Sequence, residues 1–360
     1  MRSLSAIDAV SPAFSRTKLI LLTPFLKGRT WKFCITGYLG MSSVAFLPFP
    51  LIYLCLIPMA KTSGTEKFIP LIVLAVSVFT AFYIFIFYLC SRLRFAFFDV
   101  VLRRDQFIAP LWRKHGPASN RWATFKVLAG TIASVFLAPP VTIVFRSFFI
   151  AVKSFPVQPG QQPPPQVFTG IISAYIALFL LYALCGLFYF LSSIAGDFVV
   201  PSLALENTTL REAFRRMGKL IQGDTGQFLL YVVVKLGLGI GGYMALGIAF
   251  EIVFVLVMMI GLAIAAAAGS LMHLLHIPTM ILIVLGIAVA VALYLFLMVY
   301  AFPIMIGSLL IMLESYMLYF LGGRYPMLGE LLESATPPPP APIPAASYAA
   351  PPAWSAPPAA

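Results

Sequence analysis

Charged residues are scarce in this chain. Only 10% of its 360 residues are charged, just 12 of them are acidic, and 61% are hydrophobic. A soluble domain carries about 25% charged residues, which keep its surface in contact with water. So few charges exclude an ordinary soluble enzyme, a disordered protein and a nucleic-acid-binding domain. The composition, with a mean hydropathy of +0.97, predicts an integral membrane protein.

Signatures of catalysis are missing as well. The sequence contains no G-x-S-x-G, no phosphate loop ending in Gly-Lys-Ser/Thr, no H-E-x-x-H and no group of paired carboxylates. His273 and His276 are spaced to share a helix face, but no third metal ligand stands near them. The cysteines lie in or beside apolar runs, where we interpret them as small hydrophobic residues: Cys34, Cys55, Cys90 and Cys185. We therefore predict no enzyme activity, no catalytic residue, no metal site and no cofactor.

Long apolar runs dominate what is present. About 20 apolar residues are needed to cross a bilayer as a helix, and lipid cannot satisfy the open edges of a sheet. The sequence therefore predicts an all-α, polytopic transmembrane helical bundle with six spans, and eight spans is the alternative. The candidate spans are 33–60, 68–90, 125–152, 167–191, 227–272 and 279–301, with a further apolar stretch at 303–321.

Two of these regions do not fit a single straight span. The run 227–272 would extend roughly 69 Å as a helix, against a hydrocarbon core of about 30 Å. No turn signal stands between Phe250 and Ile252, so we predict one long helix kinked at the glycines between 237 and 242. Pro303 is the expected break after 279–301, and 304–320 would then lie along the membrane face or re-enter it.

Basic residues outnumber acidic ones and give a net charge of +12. Most of them lie before the first span and in the loops after the second and fourth spans. The positive-inside rule assigns that side to the cytoplasm and therefore predicts that both termini are cytoplasmic. We expect a multi-pass protein of the bacterial cell membrane. Its partners would be anionic lipid headgroups and not nucleic acid, and a protein partner or a homo-oligomer is left open.

Similar segments recur before the first, third and fifth spans. Each pairs an aromatic residue with an arginine, at Arg16, Arg113 and Arg216, and the segments Phe98–Val101 and 197–200 also resemble each other. Each unit would be a short basic amphipathic helix followed by two spans. The alternative is that basic–aromatic clusters occur at the cytoplasmic edge of any membrane protein.

The repeat suggests a simple domain layout. A transmembrane domain would cover 1–325, and a disordered tail rich in Pro and Ala would cover 326–360. The three possible repeats are 8–104, 105–208 and 209–325.

The segment 209–222 is the clearest amphipathic helix. Thr209 and Glu212 have the spacing of a capping box, and a basic stripe lies opposite an apolar face. Such a helix is expected to lie in the membrane interface. With the other repeat arginines, it supplies the predicted headgroup contacts: Arg16, Arg113, Arg211, Arg215, Arg216 and Lys219.

Three charged residues fall inside apolar runs. Lys235 is expected to snorkel back to the cytoplasmic edge, Glu251 to lie near the far interface, and Glu314 to pair with Arg324. Because charges inside spans are uncommon and often functional, Lys235 and Glu251 are also weak candidates for substrate binding.

Three stretches carry a resemblance to a known group of proteins. These are 7–14 near the start, 92–99 after the second span, and 318–322 near the end. Over about 1–330 the chain resembles uncharacterised bacterial multi-span membrane proteins. That group is similar to the membrane domain attached to some glycerophosphoryl diester phosphodiesterases. The resemblance implies a membrane location in a bacterium and no activity, because the phosphodiesterase barrel is absent from this sequence.

The functional expectation follows from these observations. We predict a non-enzymatic scaffold or lipid-interacting membrane component. The alternative is a small-solute transporter or a channel-like protein, which would need a polar path through the spans.

Overall fold

The chain is almost entirely helical where its structure is described. The computed structural model describes residues 3–22, 30–41, 57, 66–103, 108–154, 165–274 and 279–334. No β-strand occurs within these ranges, so the predicted all-α class is confirmed there. The helices are α1 (Val10–Leu22), α2 (Thr30–Met41), α3 (Ile69–Arg103), α4 (Ile108–Lys114), α5 (Gly116–Ser154), α6 (Pro165–Glu206), α7 (Leu210–Gly223), α8 (Thr225–Leu274), α9 (Thr279–Phe296), α10 (Phe302–Gly322) and α11 (Pro326–Ser334).

Five helical segments of the described residues are long and apolar enough to cross a membrane. They are Ile69–Arg103, Gly116–Ile150, Val167–Glu206, Thr225–Ser270 and Gly286–Gly322. Each of them overlaps one span predicted from the sequence. Most of the first predicted span, 33–60, lies outside the described residues, and only its beginning is seen, in α2.

The long apolar run 227–272 forms one uninterrupted helix. This helix, α8, contains 50 residues, which confirms the prediction of a single helix over a hairpin. The run Gly237-x-Gly239-x-Gly241 does not mark a close contact between helices of the described residues. A Cβ atom added at any of these three glycines would meet no atom within 4 Å, whereas one at Gly242 would meet the Leu309 side chain.

The region around Pro303 differs from the prediction. A π-helical turn at Leu297–Ala301 joins α9 to α10 and accommodates Pro303, which occupies the first turn of α10. The chain therefore continues as a helix instead of breaking. The segment 304–320 does not lie along a membrane face either. It is buried along most of its length because it packs between α1, α2, α3 and α8, as a helix that is apolar all round is expected to do.

Helices α3 and α6 each have one exposed apolar part and one buried part. In α3, residues 71–85 include many exposed aromatic and aliphatic side chains, whereas Phe95–Leu102 are buried. In α6 the exposed part comes first and the buried part is 194–203. The core therefore sits at one end of the bundle. The apolar surface beyond it is larger than soluble monomers tolerate and is suited to lipid.

Glycines set the closest helix contacts in the core. A Cβ at Gly40 of α2 would lie 2.9 Å from the backbone nitrogen of Arg94 in α3. A Cβ at Gly307 of α10 would lie 2.1 Å from the backbone oxygen of Cys34 in α2. The backbones of α2, α3 and α10 meet directly at these positions, as small residues allow between helices in membranes.

The chain after α10 also departs from the predicted layout. Residues 326–334, assigned from the sequence to a disordered tail, form helix α11. Leu328 and Leu332 lie on one face of α11 and are fully buried against the core. The predicted boundary of the tail was wrong because the Pro- and Ala-rich composition begins only after this short segment, which has the apolar pattern of a helix. Residues 335–360 lie outside the described part of the chain.

Candidate functional site

Four charged side chains from four helices meet in the core. They are Arg94 of α3, Asp197 of α6, Lys235 of α8 and Glu314 of α10, and none is more than 5% exposed. Arg94 Nη1 lies 2.7 Å from Glu314 Oε2, and Arg94 Nη2 lies 3.7 Å from Asp197 Oδ1. Lys235 Nζ is paired with Asp197 Oδ2. We call these four residues the ionic cluster.

The ionic cluster lies at a common depth. Each member stands eight to ten residues inside the end of its helix, or roughly 12–15 Å along the helix axis. All four helix ends belong to candidate spans. Charges at this depth are held by mutual pairing, because an isolated charge in an apolar medium is very costly.

Polar and aromatic neighbours complete the surroundings of Asp197. The Tyr231 hydroxyl donates a hydrogen bond to Asp197 Oδ2 at 2.6 Å, and Lys235 Nζ donates to Ser193 Oγ at 2.9 Å. The Tyr231 ring stacks on Tyr316 and Phe320 at centroid distances of 5.2 and 4.5 Å. This aromatic wall shields the ion pairs and strengthens their attraction.

The structure corrects two expectations about charged residues, those for Lys235 and Glu314. Lys235 does not snorkel to the edge, because it is buried and engaged by Asp197. Glu314 pairs with Arg94 and not with Arg324, which instead binds Asp224 at 3.0 Å. Glu251 is exposed and stands four turns beyond Lys235 on α8, outside the ionic cluster, so the two weak binding candidates are not brought together.

Sequence reasoning missed Arg94 and Asp197. Arg94 was counted with the loop after the second span, although α3 continues to Arg103. Asp197 was noted only as part of a repeated segment together with Asp99. An acid within an otherwise apolar stretch was the available signal, because such a residue must find a partner when it is buried.

Asp99 is a second buried acid with several partners. Lys114 Nζ donates to its Oδ2 at 2.7 Å, and His115 Nε2 lies at the same distance from that oxygen. Arg103 Nε lies 3.6 Å from Oδ1. These contacts fasten the end of α4 to α3, so both acids of the repeated segments are centres of interhelical contact.

Arg16 is placed differently from its prediction. It is buried, and its guanidinium donates to the backbone oxygens of Val101 and Leu102 at 2.6–3.0 Å. These carbonyls belong to the last turn of α3, where a cation is favoured by the helix dipole. The expected contact of Arg16 with headgroups is therefore replaced by a contact within the protein.

The predicted amphipathic helix is present as α7. The Thr209 side chain accepts a hydrogen bond from the Glu212 backbone N–H, which confirms this half of the capping box. Of the basic residues predicted to contact headgroups, several are exposed: Arg113, Arg211, Arg215 and Lys219. The structure shows the helix and these exposed charges, and their contact with headgroups stays a prediction.

Arg216 is the basic residue of α7 that faces the core. Its guanidinium pairs with Glu206 and with Glu212, and Glu206 also accepts a hydrogen bond from the Tyr325 hydroxyl. The bond to Glu206 raises the pKa of Arg216, while a hydrogen bond from Arg215 lowers the pKa of Glu212. Burial, followed by the Glu206 contact, raises the pKa of Tyr325. Arg216 therefore stays charged at the edge of the core.

A groove lies beside Arg216, between α6, α7 and the end of α10. We call it the α7 groove, and its volume is about 290 Å³. Apolar side chains form most of its wall, and Arg216 and Lys219 stand on its α7 side. The lining residues are Phe198, Pro201, Ser202, Arg216, Met217, Lys219, Leu220, Leu321 and Tyr325.

Metal ligands do not gather anywhere in the described ranges. No group of three or more His, Cys, Asp or Glu side chains is arranged there to hold a metal ion. His276 and Cys55 lie outside the described residues. The ionic cluster contains two cations beside its two acids, and such a composition is suited to internal pairing and not to holding a metal ion.

Comparison with known proteins identifies a family whose function is unknown. No curated protein and no solved structure shows a significant match to this chain. One family model, described as a family of unknown function, does match, and it covers residues 4–331. That range takes in every helix from α1 to α10 and most of α11. The chain therefore belongs to the family of unknown function DUF7544.

Proposed function

We propose that this protein is a non-enzymatic, lipid-interacting component of the bacterial cell membrane that binds an anionic lipid in the α7 groove. The observation that carries the proposal is the pairing of an apolar groove of about 290 Å³ with the exposed lysine Lys219 on its α7 side. The wall offers a place for part of an acyl chain. Lys219 offers its charge to a phosphate-bearing headgroup, while Arg216 is held by Glu206 and Glu212.

The position of α7 supports this assignment. Arg211, Arg215 and Lys219 are exposed, and α7 directly precedes the candidate span in α8. A basic helix at this place is attracted to an anionic leaflet by about 1 kcal/mol per basic residue near the surface. The groove adds specificity, because it accepts an apolar chain next to the charges.

The ionic cluster supplies the scaffold part of the proposal. It joins α3, α6, α8 and α10 through ion pairs that an apolar core cannot reproduce. Two of these helices, α6 and α10, also line the α7 groove. Holding their relative positions keeps the groove in shape, which is the registry role best attested for buried ion pairs.

A transporter for a small solute is the second candidate. The observation that favours it is the ionic cluster itself, because charges within spans often mark a solute or ion pathway. The cavity that touches Arg94 has a volume of only about 20 Å³. Transport would require this cavity to widen during the cycle.

Lipid binding can be measured by native mass spectrometry of the full-length protein released from mild detergent. With phosphatidylglycerol as the probe, we expect one retained lipid per chain, and little retention of phosphatidylcholine. Lys219→Ala is expected to reduce phosphatidylglycerol retention about fivefold, which corresponds to the loss of about 1 kcal/mol. Lys219 is exposed, so this change leaves the core intact.

Lys67→Ala is the matched control for charge. Lys67 is an exposed lysine that precedes α3 at its opposite end from the core, and its loss should leave lipid retention unchanged. Equal effects of the two substitutions would show that only net charge matters, and the α7 groove would then have no special role. Equal retention of both lipids by the unmodified protein would also contradict the proposal.

We also propose the membrane topology expected from the basic residues. The five candidate spans of the described residues, with one span from 33–60, would give six spans and place both termini in the cytoplasm. In a cysteine-free background, Ile7→Cys and Ser334→Cys should react with a membrane-impermeant maleimide only after the cells are opened. Lys67→Cys should react in intact cells. Labelling of position 7 or 334 in intact cells would contradict this topology.

A further inference from the structure

A small space next to the ionic cluster is lined by several hydrogen-bond donors. It lies between α2, α3, α5 and α6 and has a volume of about 20 Å³. Its polar side chains are Arg94, Trp122, Lys126, Ser192 and Ser193. We call it the Lys126 cavity. No carboxylate lines it.

Lys126 is the residue that makes this cavity unusual. Its side chain is only 6% exposed, and the ion pairs of the described residues do not include it. Its ammonium lies over the Trp122 ring, 5.7 Å from the centroid. The indole Nε1 of Trp122 is buried and has no hydrogen-bond partner among the described residues. Both residues line the cavity, and within the described residues the ammonium has no ion-pair partner and the indole N–H has no acceptor.

The charges around the cavity do not balance. Arg94 and Lys235 are paired with Glu314 and Asp197 in the ionic cluster. Lys126 adds a third cation to two acids, which leaves one positive charge in excess. A buried ammonium without a counter-charge costs several kcal/mol. An anion in the cavity would remove that cost and would also accept hydrogen bonds from the indole and serine groups.

We propose that the Lys126 cavity binds a small monovalent anion of the size of chloride. A cavity holds one water-sized particle when its volume reaches about 10–15 Å³, so this space is large enough for one monatomic anion. Lys126 and Arg94 supply the charge, and Trp122, Ser192 and Ser193 supply neutral donors. The site uses residues different from those of the α7 groove, so the two proposals stand independently.

Thermal unfolding of the full-length protein in detergent tests the proposal. The chloride concentration is raised from 1 to 100 mM, and sodium gluconate makes up the remaining salt so that the ionic strength stays constant. Because a ligand that binds only the folded state stabilises it, we expect the Tm to rise by about 2–4 °C, with bromide acting similarly. In Lys126→Met, which keeps the length of the side chain but loses the charge, the Tm should not respond to halide.

A second variant covers the case in which Lys126→Met fails to fold. Trp122→Phe keeps the ammonium and the aromatic ring but removes the indole N–H. We expect the chloride concentration at half effect to rise about tenfold. Lys67→Met, which changes an exposed lysine, should retain the full halide response. The proposal is overturned if halide does not raise the Tm of the unmodified protein. It is also overturned if Trp122→Phe and the unmodified protein respond to the same chloride concentration, because the cavity would then hold water.

Discussion

Replacing Asp197 with asparagine is expected to lower the free energy of unfolding by about 3–5 kcal/mol. Asparagine has nearly the same shape, so the change removes charge and little else. Among the described residues, Lys235 would then lose the carboxylate it is paired with, and Arg94 would keep its pair with Glu314. Buried cations left without a partner account for most of the expected loss. The measurement is unfolding of the purified protein in mixed micelles by increasing denaturing detergent.

A double-mutant cycle separates the pair from the individual residues. Lys235→Met alone should also destabilise the protein, because it leaves Asp197 with an excess of negative charge. The double variant Asp197→Asn/Lys235→Met should cost less than the sum of the two single changes by about 0.5–3 kcal/mol. A strictly additive result would show that Asp197 and Lys235 are not coupled.

Glu251→Gln is the matched control for this cycle. Glu251 lies on the same helix as Lys235 but is exposed, and surface substitutions usually stay within about 0.5 kcal/mol. If Asp197→Asn has an effect as small as that of Glu251→Gln, the ionic cluster does not contribute to stability in the way its geometry indicates.

The second large effect is expected at Gly307. In Gly307→Ala, the new Cβ would stand 2.1 Å from the backbone oxygen of Cys34 and 2.5 Å from its carbonyl carbon. Backbone atoms cannot rotate away as a side chain can, so α10 and α2 must move apart. Overpacking of a core costs about 1–3 kcal/mol, and we expect about 3 kcal/mol here. The fraction of monodisperse protein after heating, measured by size-exclusion chromatography, reports the loss as a lower Tm.

Gly186→Ala is the corresponding control. Gly186 is a helical glycine of α6, and a Cβ there would meet no atom within 4 Å. Because glycine within a helix is less favourable than alanine by about 0.5–1 kcal/mol, this substitution should be neutral or slightly stabilising. Similar Tm values for Gly307→Ala and Gly186→Ala would mean that α2 and α10 do not meet as closely as the structure shows.

Together, the two substitutions probe different parts of one arrangement. Glycines bring α2, α3 and α10 close enough for Arg94 to reach Glu314. The resulting pairs connect these helices to α6 and α8 through Asp197 and Lys235. We therefore expect a variant that separates α2 from α10 to weaken the ionic cluster as well, although it removes no charge.

Local sequence patterns correctly predicted the features that depend only on residues close in sequence. The helical state of the apolar runs, the single helix over 227–272 and the cap at Thr209 were correct, because each depends on residues close in sequence. The same reasoning failed for α11, since a short apolar pattern was overlooked beside the Pro/Ala composition. It also failed at Pro303, where a π-helical turn accommodates the proline.

The partners of the buried charged residues could not be predicted from neighbouring residues in the sequence. Lys235 and Asp197 are separated by 38 residues, and Arg16 binds carbonyls 85 and 86 residues away. Which side of a helix faces the core depends on how all the helices pack around it. For this reason the sequence suggested an exposed Arg16 and a snorkelling Lys235, whereas both side chains are buried.

The sequence by itself determined that this protein consists of apolar helices suited to a membrane, because hydrophobic composition acts on each segment separately. Only the tertiary structure decided that Arg94, Asp197, Lys235 and Glu314 meet, and that Lys126 faces a donor-lined cavity. A buried charge is tolerated where a partner from another helix reaches it, and such a meeting is settled by the rotation and spacing of whole helices.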